Sequence, residues 1–154
     1  MKKFELTSET KAFFGETLYR IRALISFGDV SAGDLGGFVE KEENLDQYGD
    51  AWVSGNAMVS GDAMVSGNAR VAGNARVDKI GAIFWVGAVG SRNDTTTFFK
   101  CKDGKVRVTC GCFFGDLTEF AEKVNETHGD NEHGKVYMLA IEMAKARISL
   151  EGER

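Results

Sequence analysis

Between Gly49 and Asp78 the chain alternates small or branched apolar residues with polar ones in a fixed period of six. Glycine stands at 49, 55, 61, 67 and 73, alanine at 51, 57, 63, 69 and 75, and valine at 53, 59, 65, 71 and 77. In an extended segment residues two apart point to the same face, so each Ala-x-Val pair turns inward and the residue between them turns outward. The Gly-Asn or Gly-Asp step between pairs tolerates positive φ and supplies local hydrogen bonds, which marks a corner. Six residues per side with a corner at each end is the hexapeptide β-helix pattern, and three sides close a coil of about eighteen residues. Stacked coils then bring Val53 to Val71, Val59 to Val77, Asn56 to Asn74, Trp52 to Arg70 and Met58 to Arg76.

Upstream the period weakens. Asn44-Leu45 fits the Asn/Asp-Ala slots, Phe38-Val39 fits them less well, and Gln47 and Lys41 fall where valine belongs. The pattern therefore predicts about two to two and a half coils, too few to close their own ends without caps. Thr17–Phe27 reads as a strand and the glycine- and aspartate-rich 28–37 as turns, which sets an N-terminal β segment ahead of the first coil. Trp52, Met58 and Met64 take outward positions. Large apolar side chains there either lie under that segment or form an interface between copies, as a dimer or trimer.

After Val77 the period stops. Ile80–Val89 is a glycine-broken strand, and Thr95–Cys101 and Lys105–Cys110 are β-rich runs joined by Lys102-Asp103-Gly104, a hairpin signal. Val106, Val108 and Cys110 share one face of that hairpin, and Lys105, Arg107 and Thr109 the other. Asp116 with Glu119 forms a capping box for a helix that Gly129 ends. A second helix, about 135–148, carries two apolar stripes, Val136-Ala140-Met143 and Tyr137-Ile141-Ala144-Ile148, whose breadth predicts burial of both. The fold class is thus mainly β with an α+β C-terminal module: a short left-handed β-helix over 1–78, capped by its N-terminal segment and by a sheet with two helices over 79–154.

Composition narrows the function classes. Hydrophobic residues make up 43% and charged residues 27%, which is globular usage, and 19 glycines with no proline fit a chain of many tight turns. A net charge of −4 disfavours general nucleic-acid binding and adhesion to an anionic membrane. No apolar run reaches the length of a membrane span, and Met-Lys-Lys-Phe-Glu-Leu lacks the apolar core of a signal peptide. With three cysteines, an odd number, the expected home is a reducing cytoplasm.

Candidate chemistry is sparse. The two histidines, His128 and His133, lie outside the repeat, so the histidine-dependent acyl transfer of some hexapeptide proteins has no base there. Cys101, Cys110 and Cys112 with a histidine could bind zinc, yet Cys-Gly-Cys is tighter than the usual ligand spacing, and buried structural thiols are the simpler reading. No catalytic residue, metal or cofactor is assigned. The most suggestive segment is Gly90–Thr97, where Ser91, Asn93, Thr95, Thr96 and Thr97 offer donors and Arg92 a bidentate fork for a phosphate. Lys105 and Arg107 join it if the hairpin brings them near.

Three segments carry a resemblance: Gly33-Asp-Leu-Gly-Gly-Phe-Val-Glu-Lys-Glu-Glu-Asn-Leu45, the Val-x-Gly-(Asn/Asp)-Ala repeats, and Gly90–Phe99 through Cys110-Gly-Cys-Phe-Phe-Gly115. Together they resemble bacteriophage and prophage hexapeptide-repeat proteins of the polymer-forming type. The resemblance implies a repeat that serves as spacer and a C-terminal module that holds the site. It further implies a non-enzymatic binding protein in the host cytoplasm that antagonises antiviral defence, by sequestering a phosphorylated nucleotide messenger. The alternatives are a protein-binding inhibitor or scaffold acting on a host defence protein through the β-helix face, and, more weakly, a hexapeptide-type acyltransferase.

Overall fold

A computed structural model describes residues 2–152 and divides the chain into two compact units, Met1–Ile80 and Gly81–Arg154. The first unit opens with an antiparallel hairpin of β1 (Phe4–Phe13) and β2 (Glu16–Ala23), and β3 (Leu35–Val39) adds antiparallel to β2. Four two-residue strands follow: β4 (Trp52–Val53), β5 (Met58–Val59), β6 (Arg70–Val71) and β7 (Arg76–Val77). They pair in parallel, Val53 with Val71 and Val59 with Val77, the eighteen-residue stacking that the period requires.

All five alanines and all five valines of the repeat are at most 2% exposed. Each corner glycine has φ between 63° and 74°. A Cβ at Gly49 would stand 2.7 Å from the Gly67 carbonyl oxygen, and one at Gly61 2.3 Å from that of Asp78. Glycine is therefore required both for its backbone conformation and for the close approach of neighbouring layers.

Upstream, the stack continues further than the six-residue count allows. Phe38 pairs with Met58, Val39 with Val59 and Leu45 with Val65, each in parallel and twenty residues apart. Val39 and Leu45 thus fill valine slots rather than alanine slots, and the corner between Leu45 and Ala51 holds two extra residues. Gln47 sits in that corner, where its amide accepts from the Lys3 and Phe4 N–H groups at 2.7 and 3.2 Å. The residue that spoils the valine slot is the polar staple that holds β1.

The N-terminal hairpin also decides the fate of the outward apolar residues. Trp52 is 3% and Met58 7% exposed, so neither is the free interface residue that their outward positions suggested. Phe27 packs edge-on to Trp52 at 5.3 Å, and Leu18, Phe38 and Met58 form one cluster with Phe13 against it. Met64 alone of the three lies on the surface, at 47%. β1 itself is absent from the sequence reading because Ser8–Ala12 is exposed and carries no apolar alternation.

In the second unit β8 (Ile83–Val89), β9 (Asp94–Lys100), β10 (Val106–Cys110) and β11 (Phe113–Asp116) form an antiparallel sheet in chain order. Helices α1 (Leu117–His128) and α2 (Glu132–Gly152) complete a core built on Phe98, Val108, Phe120, Val124 and Ile141. The Asp116 carboxylate accepts from the Glu119 N–H and the Glu119 carboxylate from the Asp116 N–H, a reciprocal cap that starts α1. In α2 the stripe Tyr137-Ile141-Ala144-Ile148 is buried with Ala140, whereas Val136 and Met143 are 41% and 59% exposed. Burial of both stripes is therefore not observed: the sheet and α1 meet α2 on one side only. Among the described residues no helix is long and apolar enough to cross a membrane.

Candidate functional site

Strand order fixes which residues can meet. In an antiparallel sheet the β8–β9 and β10–β11 turns lie at one end, and the β9–β10 turn lies at the other. Ser91 and Arg92 sit on the first turn, Cys110, Gly111 and Cys112 on the second, and together with α1 and Tyr137 of α2 they line a cleft of about 280 Å³.

The floor of the cleft is aromatic. Phe113 and Phe120 lie 5.2 Å apart, and Tyr137 meets the Phe120 ring edge-on at 5.6 Å. His128 stacks on the Tyr137 ring at 5.6 Å with an interplanar angle of 26°. The rim is cationic, with Arg92 on the turn and Lys123 on α1 opposed by Asp94. Neither cation forms a salt bridge among the described residues. Both are exposed, so their charge is available to an incoming group.

Beneath the rim a short polar relay is closed on itself. The Thr96 hydroxyl lies 3.3 Å from the Cys110 sulfur, which lies 3.8 Å from the Tyr137 hydroxyl. Burial, and then the neighbouring Cys110, push the Tyr137 phenol up to about 12. It stays protonated and neutral through the physiological range, which suits it to donate a hydrogen bond and to stack. The sign follows for stability. Between pH 10 and 12 the folded state holds a proton that an unfolded tyrosine releases, so stability falls as pH rises through that window. Urea unfolding of the wild type against Tyr137→Phe at pH 9 and pH 11 checks this: the wild type should lose more stability than the variant, and equal losses would contradict the buried phenol.

Several residues read as one anion loop are distributed otherwise. Ser91 and Arg92 are on the cleft, and Asn93 is an exposed turn residue with φ 52° that closes the turn by donating its N–H to the Gly90 carbonyl. Thr95, Thr96 and Thr97 belong to β9 rather than to a loop, and Thr96 and Thr97 are fully buried. Their β-branched side chains favour the strand, and their hydroxyls are held inside the unit. Lys105 and Arg107 lie toward the opposite turn, about 20 Å along the strands from Arg92 by the rise per residue. Arg107 is also committed elsewhere: it clamps Asp103 bidentately at 3.1 and 3.0 Å, which holds that carboxyl down at about 2.

The cysteines separate in the same way. Cys101 is at the far end of the sheet, and burial pushes its thiol up to about 11, so it behaves as a small apolar residue. Cys110 and Cys112 are at the cleft end, and the three thiols do not converge. Lys123, Tyr137, Phe113 and Phe120 are the site residues that sequence reasoning missed, because on an amphipathic pattern they read as helix surface or as core. A comparison with protein-family models finds no match for the chain, and a comparison with curated proteins finds none.

Proposed function

We propose that the C-terminal unit is a non-catalytic receptor for a small phosphorylated ligand bearing a flat ring, of the nucleotide-messenger class. On this reading the repeat stack, a short left-handed β-helix, is its scaffold, and the protein is a phage-encoded factor that withdraws such a messenger from host antiviral signalling. The observation that carries the reading is the pairing of two unbridged rim cations, Arg92 and Lys123, with an aromatic floor. A phosphate is attracted to the cations, and a base is attracted to the rings, so one molecule carrying both satisfies the whole cleft. Sequestration needs retention and no turnover, hence no general base.

Thermal melts with 1 mM inorganic phosphate, mononucleotides and cyclic dinucleotides test it. A ligand present at a hundred times its Kd should raise the Tm by about 5 to 10 °C. Arg92→Ala and Lys123→Ala should each weaken that ligand about tenfold or more while leaving the apo Tm within about 1 °C, since both side chains are exposed. Unchanged affinity in both variants would remove the phosphate clamp, and no shift with any probe would remove the ligand class. A protein-docking role draws its support from a different place. Phe14, at the tip of the β1–β2 hairpin, is 87% exposed and holds φ 48°, a strained backbone for a bulky residue, with its ring 4.5 Å from that of Phe13.

A further inference from the structure

Among the described residues no element covers the outer face of α2, and that face is apolar. Leu139 is 65%, Met143 59%, Met138 43% and Val136 41% exposed, on the side of the helix away from the buried Tyr137-Ile141-Ala144-Ile148 stripe. Beside Leu139 and Met138 a groove of about 430 Å³ runs to Gly134, bounded by Lys135 and Glu142. A protein surface of this kind ordinarily meets a partner.

The charges on the same stripe say what that partner is. Lys135 and Glu142 are seven residues apart, which on a helix is two turns less about 20°, so they stand almost in line, about 10 Å apart, with Leu139 between them. We propose that α2 pairs with α2 of a second copy, antiparallel about a two-fold axis passing beside Met138 and Leu139. An antiparallel crossing puts Lys135 of each copy against Glu142 of the other, two pairs in all, where Glu142 otherwise holds an exposed contact at 3.5 Å to Lys145 of its own helix, whereas a parallel crossing sets like charge on like. Leu139 and Met138 meet their own counterparts at the centre, and the groove beside Gly134 receives an apolar side chain of the other helix. The contact is isologous and closes at two copies. A lipid surface is the poorer occupant, because the stripe mixes both signs instead of presenting a row of cations. The pairing is independent of the ligand cleft and stands or falls without it.

Sedimentation velocity on the full chain from 1 to 100 µM, at low and high salt, is the test. The wild type should sediment as a dimer. Lys135→Glu sets two carboxylates against each other on both sides of the axis and should weaken association about tenfold or more. Adding Glu142→Lys to it reverses both partners together and should restore the wild-type constant to within about threefold. Leu139→Asp should give monomer throughout. All three positions are exposed, so circular dichroism should show unchanged helix content in every variant. A monomeric wild type at 100 µM would overturn the proposal. So would a dimer indifferent to Leu139→Asp, or a double charge reversal that fails to restore what the single one lost.

Discussion

Gly90→Ala is expected to destabilise the C-terminal unit by about 3 to 5 kcal/mol and to abolish ligand binding in the cleft. Two costs add. Gly90 holds φ 78°, and an alanine there carries a left-handed penalty of about 1 to 2 kcal/mol. Its methyl would also stand 2.0 Å from the Tyr137 hydroxyl oxygen and 2.8 Å from the ring carbon that bears it. Tyr137 has nowhere to retreat, because Phe120 meets one part of its ring and His128 stacks on it, both at 5.6 Å. Forcing it aside opens the aromatic floor. Both α-helices belong to this unit, so urea unfolding followed by helical circular dichroism reads the loss directly. Tyr137→Phe in the Gly90→Ala background removes the closest clash and should recover about 1 kcal/mol or more relative to additivity. Strict additivity of the two changes would refute the packing argument.

The same contact shows where sequence reading stops. Gly90 is visible as the start of a turn, yet nothing in the order of residues tells that its missing side chain makes room for a tyrosine on α2. The Ala-x-Val period was legible because it repeats a local rule: small and branched residues at fixed spacing can only face one interior, and all ten are buried. The β9–β10 hairpin and the α1 cap were legible for the same reason, since Asp103-Gly104 and Asp116 with Glu119 act on their immediate neighbours. Trp52 and Met58 lie under the N-terminal segment, one of the two outcomes open to outward apolar residues, and the choice was not legible locally because their cover comes from Phe27 and from the hairpin that carries Phe13 and Leu18, far away in the chain. Arg107 was misjudged because the sheet's turn order, not its distance in sequence from Arg92, sets where it lies. Of the anion loop, only Ser91 and Arg92 reach the cleft, and the helix residues that complete it carry no local signature.

Asn44→Ala is expected to cost the N-terminal unit about 2 to 4 kcal/mol, a large share of the total for a small domain. By the six-residue count Asn44 is one more corner asparagine, equivalent to the exposed Asn56. In the structure it is fully buried and uses both ends of its amide. Its oxygen accepts from the Glu40 and Lys41 N–H groups at 3.1 and 2.9 Å. Its nitrogen donates to the Gly61 and Ala63 carbonyls at 3.2 and 2.8 Å. It thereby ties the first, out-of-period layer to the regular one, beside the parallel pairs Val39–Val59 and Leu45–Val65. Alanine leaves four backbone groups without that partner. Aspartate keeps the two accepted bonds but turns a negative oxygen on two carbonyls, so Asn44→Asp should be no better. Asn56→Ala, at an exposed corner, should stay within about 0.5 kcal/mol of the wild type. Hydrogen exchange at the Met58–Val65 amides reads this unit alone: faster exchange in Asn44→Ala than in Asn56→Ala is the expected result. Equal rates would mean that the layers are held by their apolar slots and that the buried amide is dispensable.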